Sequence, residues 1–184
     1  MTRYRVLPTV PALPSSAMEG EAECSAAYTG ASLMTCTSGA SLLTPYGWVY
    51  RPGSCYDYSW TGGWRSANSL SSYRRGASLV RVGPILLALG GRRRARSYNS
   101  VEVLDSRSPK SGWKVSKLLQ MPAGVSEHCS VVVPGRSTRE VVVTGGRGRG
   151  NRVLKLNLKT SRWYSLHRFA QRQKTKNSNQ STFD

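Results

Sequence analysis

Short apolar runs punctuated by glycine, proline, serine and asparagine occupy most of this chain, and each is too short for an ordinary helix. Leu86-Leu87-Ala88-Leu89, Val101-Glu102-Val103-Leu104, Val141-Val142-Val143-Thr144 and Val153-Leu154-Lys155-Leu156 are the clearest. Helical spacing of the apolar positions is absent and Val, Leu, Ile and Thr dominate, which predicts an all-β chain. Strands are expected at 76–81, 85–89, 100–104 and 113–117, and again at 128–133, 139–144, 152–157 and 162–166. A weaker set falls near 32–37, 54–58 and 62–66.

These runs recur with landmarks in phase. Trp64, Trp113 and Trp163 stand 49 and 50 residues apart. Gly90-Gly91 and Gly145-Gly146 end the second run of the two clearer units, and Ser38-Gly39 takes that place in the first. Such a period marks a repeated four-stranded β unit. The glycine pair lets a strand end turn sharply and a neighbour come close, and the tryptophan covers apolar area between adjacent sheets. All of these are therefore expected to be structural residues, as are Asp57 and Asp105, which align 48 residues apart. The chain divides into an irregular leader over 1–31, a repeat region over 32–166 and a basic tail over 167–184. Within the repeat region the units span about 32–70, 76–117 and 128–166. The tail has too few apolar side chains to offset its ordering entropy and is expected to be disordered.

Taken together, Gly90-Gly91, Tyr98, Val101-Glu102-Val103-Leu104-Asp105, Trp113 and Met121-Pro122 resemble a kelch repeat. A second copy keeps Gly145-Gly146 and Trp163 with Asn157 where the aspartate stood, and the first keeps Cys55-Tyr56-Asp57-Tyr58 and Trp64. The resemblance implies kelch-type β-propeller blades, about three four-stranded antiparallel sheets. That is an incomplete propeller, since rings close with roughly 4–8 blades. The chain is accordingly expected to be a fragment of a longer propeller; the alternative is assembly with further blades or another chain.

Charge sharpens this picture. Twenty-seven basic residues face nine acidic ones, for a net charge of +18, a field that attracts acidic proteins and polyanions alike. Arg92, Arg93, Arg94 and Arg96 follow the first glycine pair, and Arg147, Arg149 and Arg152 follow the second. Both clusters fall between the second and third strands of a unit. Alternate connections of an up-and-down sheet share one side, which adds Arg74 and Arg75 of the preceding linker to the same rim. Kelch families generally bind partner proteins through that face, and arginine forks suit carboxylates and phosphates. The expected function is a protein–protein interaction scaffold for an acidic partner. The alternative is polyanion or nucleic-acid binding without base specificity, because Tyr98 is the one aromatic interleaved with these loops.

A catalytic set is not legible. His128 and His167 are the two histidines, the carboxylates are scattered, and His128 and Cys129 are adjacent on an expected strand, where neighbours point to opposite faces. Neither enzyme activity nor a metal or other cofactor is expected. The remaining enzymatic alternative is a copper-dependent oxidase-like propeller, which would need two tyrosines and two histidines. Cys24, Cys36, Cys55 and Cys129 lack metal-site spacing and are expected to be buried free thiols. One disulfide among the first three is the alternative in an extracellular protein. Pro8, Pro11 and Pro14 interrupt any secretory apolar core near the start, and no run reaches membrane-spanning length. The default compartment is cytoplasmic, with secretion as the alternative.

Overall fold

A strand covered on both faces reads as an unbroken apolar run, and Leu86 to Leu89 is such a run. In the computed structural model, which describes residues 24–28, 32–134, 139–148 and 153–166, that run lies in the middle one of three four-stranded antiparallel sheets. The first sheet comprises β1 (Cys24–Tyr28), β2 (Ser32–Thr37), β5 (Cys55–Ser59) and β6 (Gly63–Ala67) in that order. Between its second and third strands a separate hairpin projects, β3 (Ala40–Thr44) with β4 (Gly47–Arg51). The middle sheet is β7 (Arg75–Val82), β8 (Ile85–Arg93), β10 (Val101–Asp105) and β11 (Lys114–Ser116), with β9 (Arg96–Ser97) folded back on β8. The third is β13 (Cys129–Pro134), β14 (Arg139–Thr144), β16 (Val153–Asn157) and β17 (Arg162–Leu166). A two-residue pairing of β12 (Val125–Ser126) with β15 (Arg147–Gly148) ties the linker to the third sheet's central connection. Among the described residues there is no α-helix, and no helix long and apolar enough to cross a membrane.

Strand alternation sorts the core into two layers. Leu86, Ala88 and Leu104 pack with Met34, Cys36 and Cys55 of the first sheet. Leu87, Leu89 and Val101 point the other way and pack with Val141, Val143, Leu154 and Leu156 of the third. Complete burial of a leucine side chain stabilises a fold by roughly 1.5–3 kcal/mol, and Leu86, Leu87 and Leu89 are all fully buried. The first strands of the sheets adjoin, β1 on β7 and β7 on β13.

The tryptophans fasten one sheet to the one before it. Trp113 Nε1 donates to the carbonyl of Asn68 at 2.9 Å, and Trp163 Nε1 to that of Leu119 at 3.0 Å. Each acceptor lies in the linker that precedes the tryptophan's own sheet. Trp64 sits at the equivalent place in β6, its ring 5.0 Å from that of Tyr58. All four residues of the two glycine pairs have positive φ. Gly91 and Gly146 both have φ of 89°, and Gly39 has 101°, a region that side-chain-bearing residues avoid. A Cβ on Gly90 would collide with the Val125 carbonyl, so the linker approaches the strand end as closely as glycine permits.

Several expectations are corrected. Residues 24–28, assigned to the leader, form the first strand; Cys-Ser-Ala-Ala-Tyr has weak strand propensity and is held by five-residue pairing with β2. The part of the leader before residue 24 and the tail from 167 lie outside the described residues. Asp57 is not the counterpart of Asp105. Tyr58 faces Trp64 and Leu156 faces Trp163, which puts Ser59 and Asn157 in corresponding positions, and Asp105 with them. Chemistry agrees with that register. Asp105 Oδ1 accepts from the amide of Arg107, Asn157 Oδ1 from those of Lys159 and Thr160, and Ser59 Oγ from that of Gly62. A short oxygen-bearing side chain is needed there to close the turn between third and fourth strands. Finally, Cys36 and Cys55 are not free thiols. They lie directly opposite each other in β2 and β5 and form a disulfide, while the free thiol of Cys129 is exposed rather than buried.

Candidate functional site

The connections between second and third strands converge, and they bring basic and aromatic side chains from separate sheets into one surface. Arg93 of the middle sheet places its guanidinium 4.4 Å from the ring centroid of Tyr50, which belongs to the hairpin of the first sheet. Its neighbour Arg94 donates from Nε to the Tyr50 hydroxyl at 2.9 Å. Tyr50 is itself braced edge-on by Tyr73, with centroids 5.1 Å apart. Cation–π contact of this kind orients an exposed arginine without using up its donors.

Glu127 links the middle and third sheets on the same side. Its carboxylate is 3.0 Å from Arg92 and 3.4 Å from Arg147. The Glu127 amide donates to Gly76 at 2.7 Å, which pins this linker residue in its left-handed conformation, φ 55°. Arg92 and Arg147 thus already hold a carboxylate, whereas Arg93, Arg94 and Arg96 are exposed. Arg75 opens β7 opposite Arg92 and is half-buried. Arg149 and Arg152 lie outside the described residues.

Arg74 does not belong to this surface, contrary to expectation. It is 2% exposed, and its Nε lies 2.6 Å from the carboxylate of the fully buried Glu102. Nη1 donates to the carbonyls of Gly90 and Ser100, and Nη2 to Ser100 Oγ. Glu102 is satisfied in turn by the Ser71 amide at 2.6 Å and the Ser72 hydroxyl at 2.7 Å. Buried charges persist only when paired and hydrogen-bonded to this degree. The arginine rivets the linker between first and middle sheets onto β8 and β10.

An open cleft of about 710 Å³ lies between the β8–β9 turn and residues 122–124. Arg93, Arg96, Ser97, Tyr98 and Asn99 line one side of it, and no carboxylate is among its lining residues. The Arg93 and Arg96 guanidiniums at its wall are donors without an anionic counterpart among the lining residues. In the sequence Tyr98 is the one aromatic near the basic loops, and Tyr50 reaches Arg93 and Arg94 only through the fold. A signal was present: Leu42-Leu43 and Trp48-Val49 flank Thr44-Pro45-Tyr46-Gly47, the arrangement of a hairpin around a tight turn.

His128 is buried, with Nε2 2.7 Å from Ser78 Oγ, and Ser130 Oγ donates to the same hydroxyl at 2.8 Å. The chain of bonds fastens β7 to β13. Nδ1 is buried with no hydrogen-bond partner, so no carboxylate orients the imidazole as a general base would require. Among the described residues, no three histidine, cysteine or acidic side chains cluster in a way that could hold a metal ion. Desolvation lowers the pKa of His128 from 6.5 to about 4. Its neutral form therefore stabilises the fold fully above pH 6.5, and that contribution is lost as pH falls toward 4. By pH 5 the loss reaches about 2 kcal/mol, a window in which ordinary carboxylates have barely begun to titrate. Urea titrations at pH 7 and pH 5 should show this drop in the parent and a smaller one in His128→Gln; equal drops would contradict it.

Compared with known proteins, the chain matches no family model, and no curated protein sequence is similar to it.

Proposed function

We propose that the three sheets are kelch-type propeller blades and that the chain is a protein-interaction scaffold, taking an acidic partner on its arginine rim. The blade assignment rests on three four-stranded meanders in series, on glycine pairs at the ends of second strands, and on tryptophans that each lean on the preceding linker. One observation carries the functional reading. Glu127 occupies Arg92 and Arg147 from within the chain, while Arg93, Arg94 and Arg96 beside them are exposed. The rim is thus built to hold carboxylates and retains capacity for more.

The triple substitution Arg93→Glu, Arg94→Glu, Arg96→Glu is expected to weaken binding of a labelled polyglutamate peptide by about tenfold or more, with an unchanged melting temperature. Unaltered affinity would remove the rim from the function. A second reading, general polyanion binding, is favoured by the net charge of +18. Heparin and duplex DNA binding as tightly as the peptide, with steep salt dependence, would support it. Protein recognition should instead persist near physiological salt.

A further inference from the structure

The projecting hairpin carries the largest exposed apolar side chains that adjoin the rim. Leu43 lies opposite Trp48 and Leu42 opposite Val49, so both faces of this two-stranded sheet are apolar. Leu43 is 63% exposed and Trp48 47%, and Tyr46 at the turn is fully exposed. Scattered exposed apolar residues are ordinary, but a contiguous group beside a charged cleft marks an interaction surface.

Tyr50 joins the two regions. It shares a hairpin face with Trp48, two residues away, and their ring centroids are 6.4 Å apart. Arg93 rests on Tyr50 and also lines the basic cleft. The surface therefore runs without interruption from Arg96 and Arg93, across Tyr50, to Trp48 and Leu43. A second copy of the chain is a poor occupant, since its charge of +18 repels this cleft.

We infer that the surface recognises an amphipathic acidic segment, whose carboxylates meet Arg93 and Arg96 while neighbouring apolar side chains pack on Trp48 and Leu43. This rests on the acidic-partner reading above and narrows it. Arg93 to Tyr50 and Tyr50 to Trp48 together span at most about 11 Å, and an extended chain advances roughly 3.3 Å per residue. The partner side chain on Trp48 therefore falls within about three positions of the carboxylate at Arg93. Carboxylates give orientation and fast encounter, and the apolar group gives residence time.

The test is fluorescence anisotropy with two synthetic peptides, one a run of glutamates followed within three positions by leucine and tryptophan, the other identical but with serines in their place. The mixed peptide should bind about tenfold more tightly. The double variant Leu43→Ser, Trp48→Ser, altered on an exposed hairpin face, should bring it down to the affinity of the glutamate–serine peptide and leave the latter unchanged. Equal binding of the two peptides, or a mixed peptide indifferent to the hairpin variant, would overturn the inference while leaving the acidic-partner reading intact. Failure of both peptides to bind would overturn that reading and this one together.

Discussion

Glu102→Ala is expected to destabilise the protein by about 3–5 kcal/mol, because it leaves the Arg74 guanidinium buried without its counter-ion. The cost arises from desolvation rather than from lost contact area. Arg74 would keep the carbonyls of Gly90 and Ser100, but no anion would balance a cation that is 2% exposed. The amide of Ser71 and the hydroxyl of Ser72 would lose their acceptor as well. Urea unfolding measures the effect directly. The double variant Arg74→Met, Glu102→Leu should recover a large part of the loss, since an apolar pair of similar volume needs no neutralisation. A double variant as unstable as the single one would mean that the two charges do not depend on each other.

Reducing the bond between Cys36 and Cys55 should cost about 3 kcal/mol, the loop-closure entropy of a segment of this length. The bridge spans 19 residues and closes the neck from which the β3–β4 hairpin projects. Thr37 and Ser54 pin the same neck, with the Thr37 amide donating to the Ser54 carbonyl at 2.9 Å and the Ser54 amide to Thr37 Oγ1 at 3.1 Å. Thermal melts with and without reductant test this, with Cys36→Ser as the covalent control. Because the hairpin delivers Tyr50, the reduced protein should also lose the support beneath Arg93 and Arg94. A melting temperature indifferent to reductant would show the bridge to be dispensable.

How far the sequence foretold this molecule depended on whether a feature is local. The run from Leu86 to Leu89 and the valines from 141 to 143 announce themselves, since strands that bury both faces, or consist of β-branched residues, need no context. The tryptophan and glycine landmarks were legible for a different reason: Trp113, Trp163 and the two glycine pairs each meet a neighbouring linker, and the need recurs at the same phase of both units. The strand at 24–28 was not, because its pairing with β2 supplies what Cys-Ser-Ala-Ala-Tyr lacks in propensity. Arg74 looked like another rim arginine because its partner lies 28 residues away on a strand face that periodicity alone does not orient. Cysteine spacing could not select Cys36 and Cys55, whereas register selects them at once. The alignment of Asp57 with Asp105 failed by two positions for a related reason: sequence matching rewards identical residues, while a turn accepts any short side chain with an oxygen in the right place.

The indole bonds also give the stack a direction, like tiles on a roof. Trp113 and Trp163 each give their indole bond to a linker that comes earlier in the chain. Peeling away the last layer would bare Leu87 and Leu89 yet leave the seat of Trp113 intact, whereas lifting the first would unseat that indole. Synthesis from the N-terminus therefore lays down each support before the layer that rests on it.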